Sequence, residues 1–348
     1  MVAVKDINGF LALVENLVPV DARSEAEFEQ GHIPGSINIP LLTSEHRVQV
    51  GTLYKQMGKE AAVMKGFQLA GPRFYQIFKS LRKNSVNREA AVYCWRGGMR
   101  SNILGWMLGL ADYKVHLLNG GYKAYRQYAH QLFAKPYKWT VLSGKTGVGK
   151  TRLLQQLAEA GEQVLDYEAL ANHKGSAFGH IGMPGQPTVE HFENLIAWQL
   201  RKFDVSRVIW VENESRFIGK VRIPDSLFTQ TLTMPIIEVQ VAEERRREFI
   251  LEEYGKHPME SLLEATHNLE RKLGGDRMQV ACNALLAEDW QGWLDILLPY
   301  YDKTYAHSEK SRTGSSYPLA LTGDGPTDLV ALIRLNETIW KQEKNLQP

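Results

Sequence analysis

Cysteine is almost absent: the 348 residues hold two, Cys94 and Cys282, far apart and without metal-type spacing. Neither a disulfide framework nor a thiolate zinc site is indicated, so each cysteine is judged singly. Long apolar runs are missing as well. None approaches the roughly 18 residues that cross a bilayer, and Met1-Val2-Ala3-Val4-Lys5-Asp6 lacks the layout of a secretion signal. No membrane partner and a cytoplasmic location are the expectations. Charge of one sign is also lacking, with 41 Lys and Arg against 39 Asp and Glu. Any face for nucleic acid must therefore come from local clustering. There are no repeats or low-complexity tracts. What remains is 44% hydrophobic and 23% charged, the composition of a globular chain long enough for two domains.

The stretch Gly144-Lys145-Thr146-Gly147-Val148-Gly149-Lys150-Thr151 has the spacing of a phosphate-cradling loop. Its glycines let successive N–H groups point at an anion, Lys150 adds a fixed charge, and the Thr151 hydroxyl can reach a magnesium ion. The context agrees. Trp139 to Leu142 reads as a short buried strand, and after the loop Leu153, Leu154 and Leu157 mark a helix that Gly161 stops. The loop alone does not separate a nucleotide from another diphosphate.

A second anion loop lies upstream. The β-type run Ala90 to Tyr93 ends at Cys94-Trp95-Arg96-Gly97-Gly98-Met99-Arg100-Ser101, with a helix predicted over 102–108. A cysteine between a strand end and a helix N-terminus, beside Arg96 and Arg100, favours the thiolate and hence a nucleophile. Amides of Gly97 and Gly98, with Arg96 and Arg100, would hold an anionic substrate over the sulfur. Cys282, within an apolar helical stretch, reads instead as core. Earlier still, Pro19 to Pro40 reads as strand, acidic helix, turn and strand, with Ser24 and Glu27 forming a capping box and His32 fixing the turn at Pro34-Gly35. One helix is predicted over 67–81.

The domains are placed at 1–134 and 139–348, joined by a linker at 135–138 that contains Pro136. In the second, strands over 139–142, 163–166, 207–212 and 235–241 alternate with helices over 152–160, 188–203 and 243–254. That rhythm predicts a parallel sheet with helices on both faces. Asp166, Glu212 and Glu214 stand at strand ends facing the phosphate crevice, as candidate acid/base groups or holders of magnesium through water. The Gly-rich loop from Asn172 to Pro187 is long enough to suggest function. Arg216, Arg222, Arg245, Arg246 and Arg277 are candidate contacts for RNA phosphates, although Glu243 to Glu248 also reads as a solvated helix face. Tyr300, Tyr301 and Tyr305 could stack on bases or edge a helical core.

Asp21-Ala22-Arg23, Gly31-His32-Ile33-Pro34-Gly35, the Cys94 loop and Leu118-Asn119-Gly120-Gly121 together resemble a rhodanese domain over about the first 130 residues. One departure stands out: Arg100 lies six residues after Cys94 where ordinary sulfurtransferase loops place it five after, a size shared with rhodanese-fold phosphatases. With Val50-Gly51-Thr52-Leu53-Tyr54-Lys55, the cradle at 144–151 and Glu212 to Gly219, the whole chain resembles the bacterial tRNA 2-selenouridine synthase family. The resemblance implies an α/β protein with an N-terminal rhodanese-like domain and a C-terminal P-loop NTPase-like domain. It also implies conversion of wobble 2-thiouridine in tRNA to 2-selenouridine through an S-geranylated intermediate. Geranyl diphosphate would leave its diphosphate in the 144–151 cradle, with Mg²⁺ held by Thr151, and selenophosphate would deliver selenium through Cys94. Two rivals stay open: an ATP-dependent sulfurtransferase or kinase-like fusion acting on RNA, and a rhodanese unit used only for docking.

Overall fold

The structure, a computed structural model, describes residues 1–85, 87–309, 312–322 and 324–346. The chain divides into two compact units, Met1–Leu132 with Glu193–Trp198, and Phe133–Phe192 with Gln199–Pro348. The expected α/β class holds in both, each built on a five-stranded parallel sheet.

In the first unit the strands are β1 (Val2–Lys5), β2 (Pro19–Asp21), β3 (Ile37–Asn38), β4 (Glu89–Tyr93) and β5 (Lys114–Leu118), ordered β1-β5-β4-β2-β3. The Ala-Ala-Val-Tyr run of β4 is buried throughout, which suits a central parallel strand covered on both faces. Val92, Leu104, Leu108, Val115 and Leu117 lie in the core on one side of this sheet. The expected capping box forms: Ser24 and Glu27 close the start of helix Glu25–Gln30. The helix predicted over 67–81 is two helices, Lys59–Ala70 and Phe74–Asn84, separated by a 3₁₀ turn at Gly71–Arg73. Pro72 lacks an N–H and crowds the preceding turn, so an uninterrupted helix cannot pass through it.

The second unit holds β6 (Lys138–Ser143), β7 (Gln163–Leu165), β8 (Val208–Glu212), a hairpin of β9 (Phe217–Ile218) and β10 (Val221–Arg222), then β11 (Ile236–Gln240) and β12 (Ser316–Ala320). Its sheet runs β12-β11-β6-β8-β7, so the strand leading into the phosphate loop is central. Helix Lys150–Glu159 packs Leu153, Leu154 and Leu157 against Leu142, Ile237 and Val239 of the sheet. A second core, with Phe178, Ile250, Leu262, Trp293 and Leu297, gathers the C-terminal helices. Among the described residues no helix is long and apolar enough to cross a membrane.

Candidate functional site

Parallel strands deliver their carboxyl ends to one edge of the sheet, and the cradle opens there. Gly147 has φ +84°, and a Cβ on it would stand 2.8 Å from the Arg246 carbonyl oxygen. Glycine is thus required by both backbone angle and space. Gly149, at φ +83°, passes the chain into helix Lys150–Glu159, whose first amides carry the partial positive charge of a helix N-terminus. The Lys150 ammonium donates to the Gly144 carbonyl at 2.9 Å and lies 3.4 Å from Glu212 Oε1. At the end of β6, Ser143 Oγ accepts from Asn213 Nδ2 at 2.6 Å and lies 3.0 Å from the Tyr305 hydroxyl.

The cradle opens into a cavity of about 840 Å³ that Thr151, Lys174, Glu212, Phe249 and Tyr301 help to line. On its β8 side three carboxylates converge: oxygens of Glu168, Glu212 and Glu214 lie within 4.8 Å of one another. Glu212 ends β8, and Glu168 sits in the short helix Tyr167–Ala171 that follows β7. Because β7 pairs with β8, the two carboxylates meet. Burial, then the charges of Glu212 and Glu214, pushes Glu168 up to about 11. Burial and then Glu212 push Glu214 up to about 8, although it hydrogen-bonds Glu168. Burial also raises Glu212, against the pull of Lys150. Glu212 is 5% exposed and its Oε2 has no hydrogen-bond partner. An orphaned buried oxygen among acids that retain protons is a donor set suited to a hard divalent cation.

The crown of the cradle is braced from the C-terminal helix Trp290–Glu309. Asp302 accepts from Arg246 at 2.6 and 3.1 Å and pairs with Lys145 at 3.1 Å, while Arg246 Nε donates to the Thr146 carbonyl at 3.0 Å. Burial would raise Asp302, but its hydrogen bonds from Arg246 and Lys145 outweigh that and hold it below the usual carboxylate range.

In the first unit Cys94 follows the end of β4 and is 3% exposed. Its Sγ lies 3.2 Å from Ser101 Oγ, which donates to the Gly98 carbonyl at 3.1 Å. The loop folds back on the first turn of helix Gly121–Phe133: the Tyr122 and Lys123 amides donate to the Cys94 and Trp95 carbonyls at 2.8 and 3.0 Å. Arg96 is exposed, whereas Arg100 donates to Glu27 Oε2 at 2.5 Å, the same oxygen that closes the capping box on Ser24. Burial would lift Glu27, but Arg100 more than compensates and keeps it low. Behind the loop, Asp21 and Arg23 form a buried pair at 2.7 Å. Arg23 also stacks over the Tyr122 ring at 3.8 Å and donates to the Gly31 carbonyl at 2.6 Å. His32 bonds the Phe28 carbonyl through Nδ1 at 2.9 Å and stacks on the Phe28 ring.

A family profile described as the tRNA 2-selenouridine synthase AAA domain matches residues 137–324, and a rhodanese-like profile matches residues 10–128. The chain is 33% identical to a tRNA 2-selenouridine synthase of Nitrosomonas europaea, over 84% of this chain and 89% of that one. It is 33% identical to one of Pseudomonas syringae, over 93% of this chain and 96% of that one. The chain belongs to the tRNA 2-selenouridine synthase family.

Within this family member the remaining residues singled out from the sequence divide. Asp166 caps helix Tyr167–Ala171, its Oδ1 accepting from the Ala169 amide at 2.9 Å; burial raises its pKa. The third carboxylate within ligand distance of Glu212 and Glu214 is Glu168, not singled out from the sequence, and the nearby Asp166 charge helps to raise all three. No local signal marks it, because the contact depends on β7 lying beside β8. Arg246 requires correction as an RNA contact: at 6% exposed and held by Asp302 and the Thr146 carbonyl, it supports the cradle and offers nothing to a phosphate outside. Arg245 stands over the Phe249 ring and pairs with Glu248 at 2.6 Å. Arg216 and Arg222 both reach Asp225, at 3.3 and 2.6 Å, and Arg277 is exposed. The long loop brings Lys174, Gly175 and Ser176 to the cavity. Tyr300, Tyr301 and Tyr305 line it too. Cys282 is core, 3.6 Å from the Met278 sulfur.

Proposed function

We propose that this chain makes 2-selenouridine from wobble 2-thiouridine in tRNA in two steps, each served by one unit. In the first, the thiocarbonyl sulfur attacks C1 of geranyl diphosphate, the S–C bond forms, and the C–O bond to diphosphate breaks. Charge grows on the leaving diphosphate. The cradle amides and Lys150 are pre-aimed at that charge, so they stabilise the transition state more than the ground state. N3 of the base gives up its proton as its neighbour becomes a thioether, and the departing diphosphate carries that proton away. The Glu168, Glu212 and Glu214 cluster, with Thr151 lining the same cavity, would hold Mg²⁺, which would supply further charge neutralisation for the diphosphate.

In the second step the Cys94 thiolate attacks the phosphorus of selenophosphate, the P–Se bond breaks and hydrogen selenide leaves. Water later frees Cys94 by releasing phosphate, and the selenide adds to C2. The C2–S bond then breaks and geranyl thiol leaves. Arg96 is free at the surface to meet the selenophosphate anion, and Arg100 becomes available when its pair with Glu27 opens. The observation that carries this reading is the pairing, in a chain of this family, of a cysteine loop with a diphosphate-sized cradle backed by acidic ligands.

The test is nucleoside mass spectrometry of 2-thiouridine tRNA incubated with geranyl diphosphate and selenophosphate. Lys150→Ala should stop before geranylation, and Cys94→Ala should accumulate the geranylated base. Loss of both products in both variants would refute the division of labour. Tighter equilibrium binding of ATP than of geranyl diphosphate would favour the ATP-dependent alternative.

A further inference from the structure

The first unit carries a groove that neither loop accounts for. It runs between helices Ser44–Met57 and Lys59–Ala70 and the first turn of helix Met99–Gly109, with a volume of about 840 Å³. Its walls are apolar, formed by Leu42, Val50, Ala62, Val63, Phe67 and Ile103. Val48, Phe67 and Met99 on its margin are 67%, 53% and 49% exposed. Helix Ser44–Met57 buries no residue fully: Val50 packs against the core, but Val48 is left open. A concave apolar surface left open in this way marks a binding site.

The rim differs from the walls. Arg47, Lys55 and Lys59 are exposed lining residues, Arg100 is paired with Glu27, and among the described lining residues none is acidic. Apolar walls under a cationic rim fit a short hydrocarbon chain attached to a polyanion. A volume within the roughly 300–1,000 Å³ of small-ligand pockets suits a chain of about ten carbons better than a partner helix. Position narrows the occupant further. Met99 and Arg100 belong both to the groove and to the stretch that begins at Cys94, so a chain seated here contacts the segment that carries the thiol.

We propose that this groove holds the geranyl group of S-geranylated tRNA during selenation, with Arg47, Lys55 and Lys59 meeting the RNA phosphates. The assignment rests on the two-step reading above. It gives the geranyl chain a purpose: the chain anchors the modified base at Cys94, and an unmodified base has no such handle.

The test uses the full-length protein and anticodon stem-loop RNAs carrying either S-geranyl- or S-methyl-2-thiouridine, with affinities read by fluorescence anisotropy. Burying about four methylene equivalents corresponds to about 200-fold, so the parent should prefer the geranyl RNA by about that factor. The double variant Val48→Ser/Phe67→Ser removes two exposed side chains. It should cut the preference below about 10-fold and leave S-methyl binding and geranylation of 2-thiouridine RNA unchanged. Val63→Trp, which fills the groove, should do the same. An undiminished preference in both variants overturns the proposal. So does an equal loss of S-methyl binding, which would make the groove a contact for RNA itself or for a protein. Loss of geranylation in the variants overturns it as well, by assigning the groove to geranyl diphosphate. A parent that makes 2-selenouridine through the geranylated base without chain preference sinks the groove alone, whereas a parent that never geranylates RNA sinks the two-step reading.

Discussion

Replacing Glu214 with glutamine separates charge from shape in the acidic trio. Glu168, Glu212 and Glu214 crowd within 4.8 Å with Lys150 as the neighbouring cation. Against the ordinary 4.5, burial and then the neighbouring charges push Glu214 up to about 8 and Glu168 up to about 11. Above about pH 4.5 the folded chain therefore holds protons that the unfolded chain has released. With more protons bound in the folded state, stability falls as pH rises from about 4.5, and the Glu214 penalty is complete only above about 8. A one-proton difference is worth about 1.4 kcal/mol per pH unit, which sets an upper bound; relaxation and water entry reduce it. We expect Glu214→Gln to add about 2 kcal/mol of stability at pH 8 and almost nothing at pH 4.5. The glutamine carbonyl can still accept from protonated Glu168, as the Glu214 carboxylate does, so the packing is retained. In thermal unfolding across this range, about 2 kcal/mol corresponds to about 4–8 °C for a domain of this size. Parallel pH profiles for parent and variant would refute the argument.

The same cluster predicts that Mg²⁺ displaces protons. Adding MgCl₂ in weak buffer at pH 7 should release on the order of one proton per chain, read with an indicator dye, and less from Glu214→Gln; no release would remove the cluster as a cation site. Asp302→Asn takes the carboxylate from Arg246, whose side chain is 7% exposed, and from Lys145. It should cost about 2–3 kcal/mol in urea unfolding and weaken inorganic diphosphate binding about tenfold, because Thr146 loses its brace. In the first unit, Asp21→Ala strands Arg23, which is 1% exposed, and should cost about 3–5 kcal/mol. A shift in the urea midpoint worth under about 1 kcal/mol would mean that Tyr122 and the Gly31 carbonyl suffice to hold the guanidinium.

Residues whose surroundings are their sequence neighbours were legible, and residues placed by topology were not. Cys94 and Lys150 belong to loops whose chemistry is written within eight positions, so reading order and spatial order coincide. Glu168 enters the acidic trio only because β7 lies beside β8 in the sheet, and nothing in Asp166-Tyr167-Glu168 announces that pairing. Asp166 occupies the strand end that the rule for carboxylates in α/β crevices points to, but its side chain is spent on capping the helix that carries Glu168. The run Arg245-Arg246-Arg247 shows the same limit at the scale of one helical turn. Successive residues on a helix point about 100° apart, so three adjacent arginines cannot share a face. Arg245 lies over Phe249, Arg247 reaches Glu243 and Asp295, and Arg246 turns inward to Asp302 on a helix that lies more than fifty residues away in the chain. A charge run read as one basic edge is thus three different interactions, and only the inward one bears on the cradle.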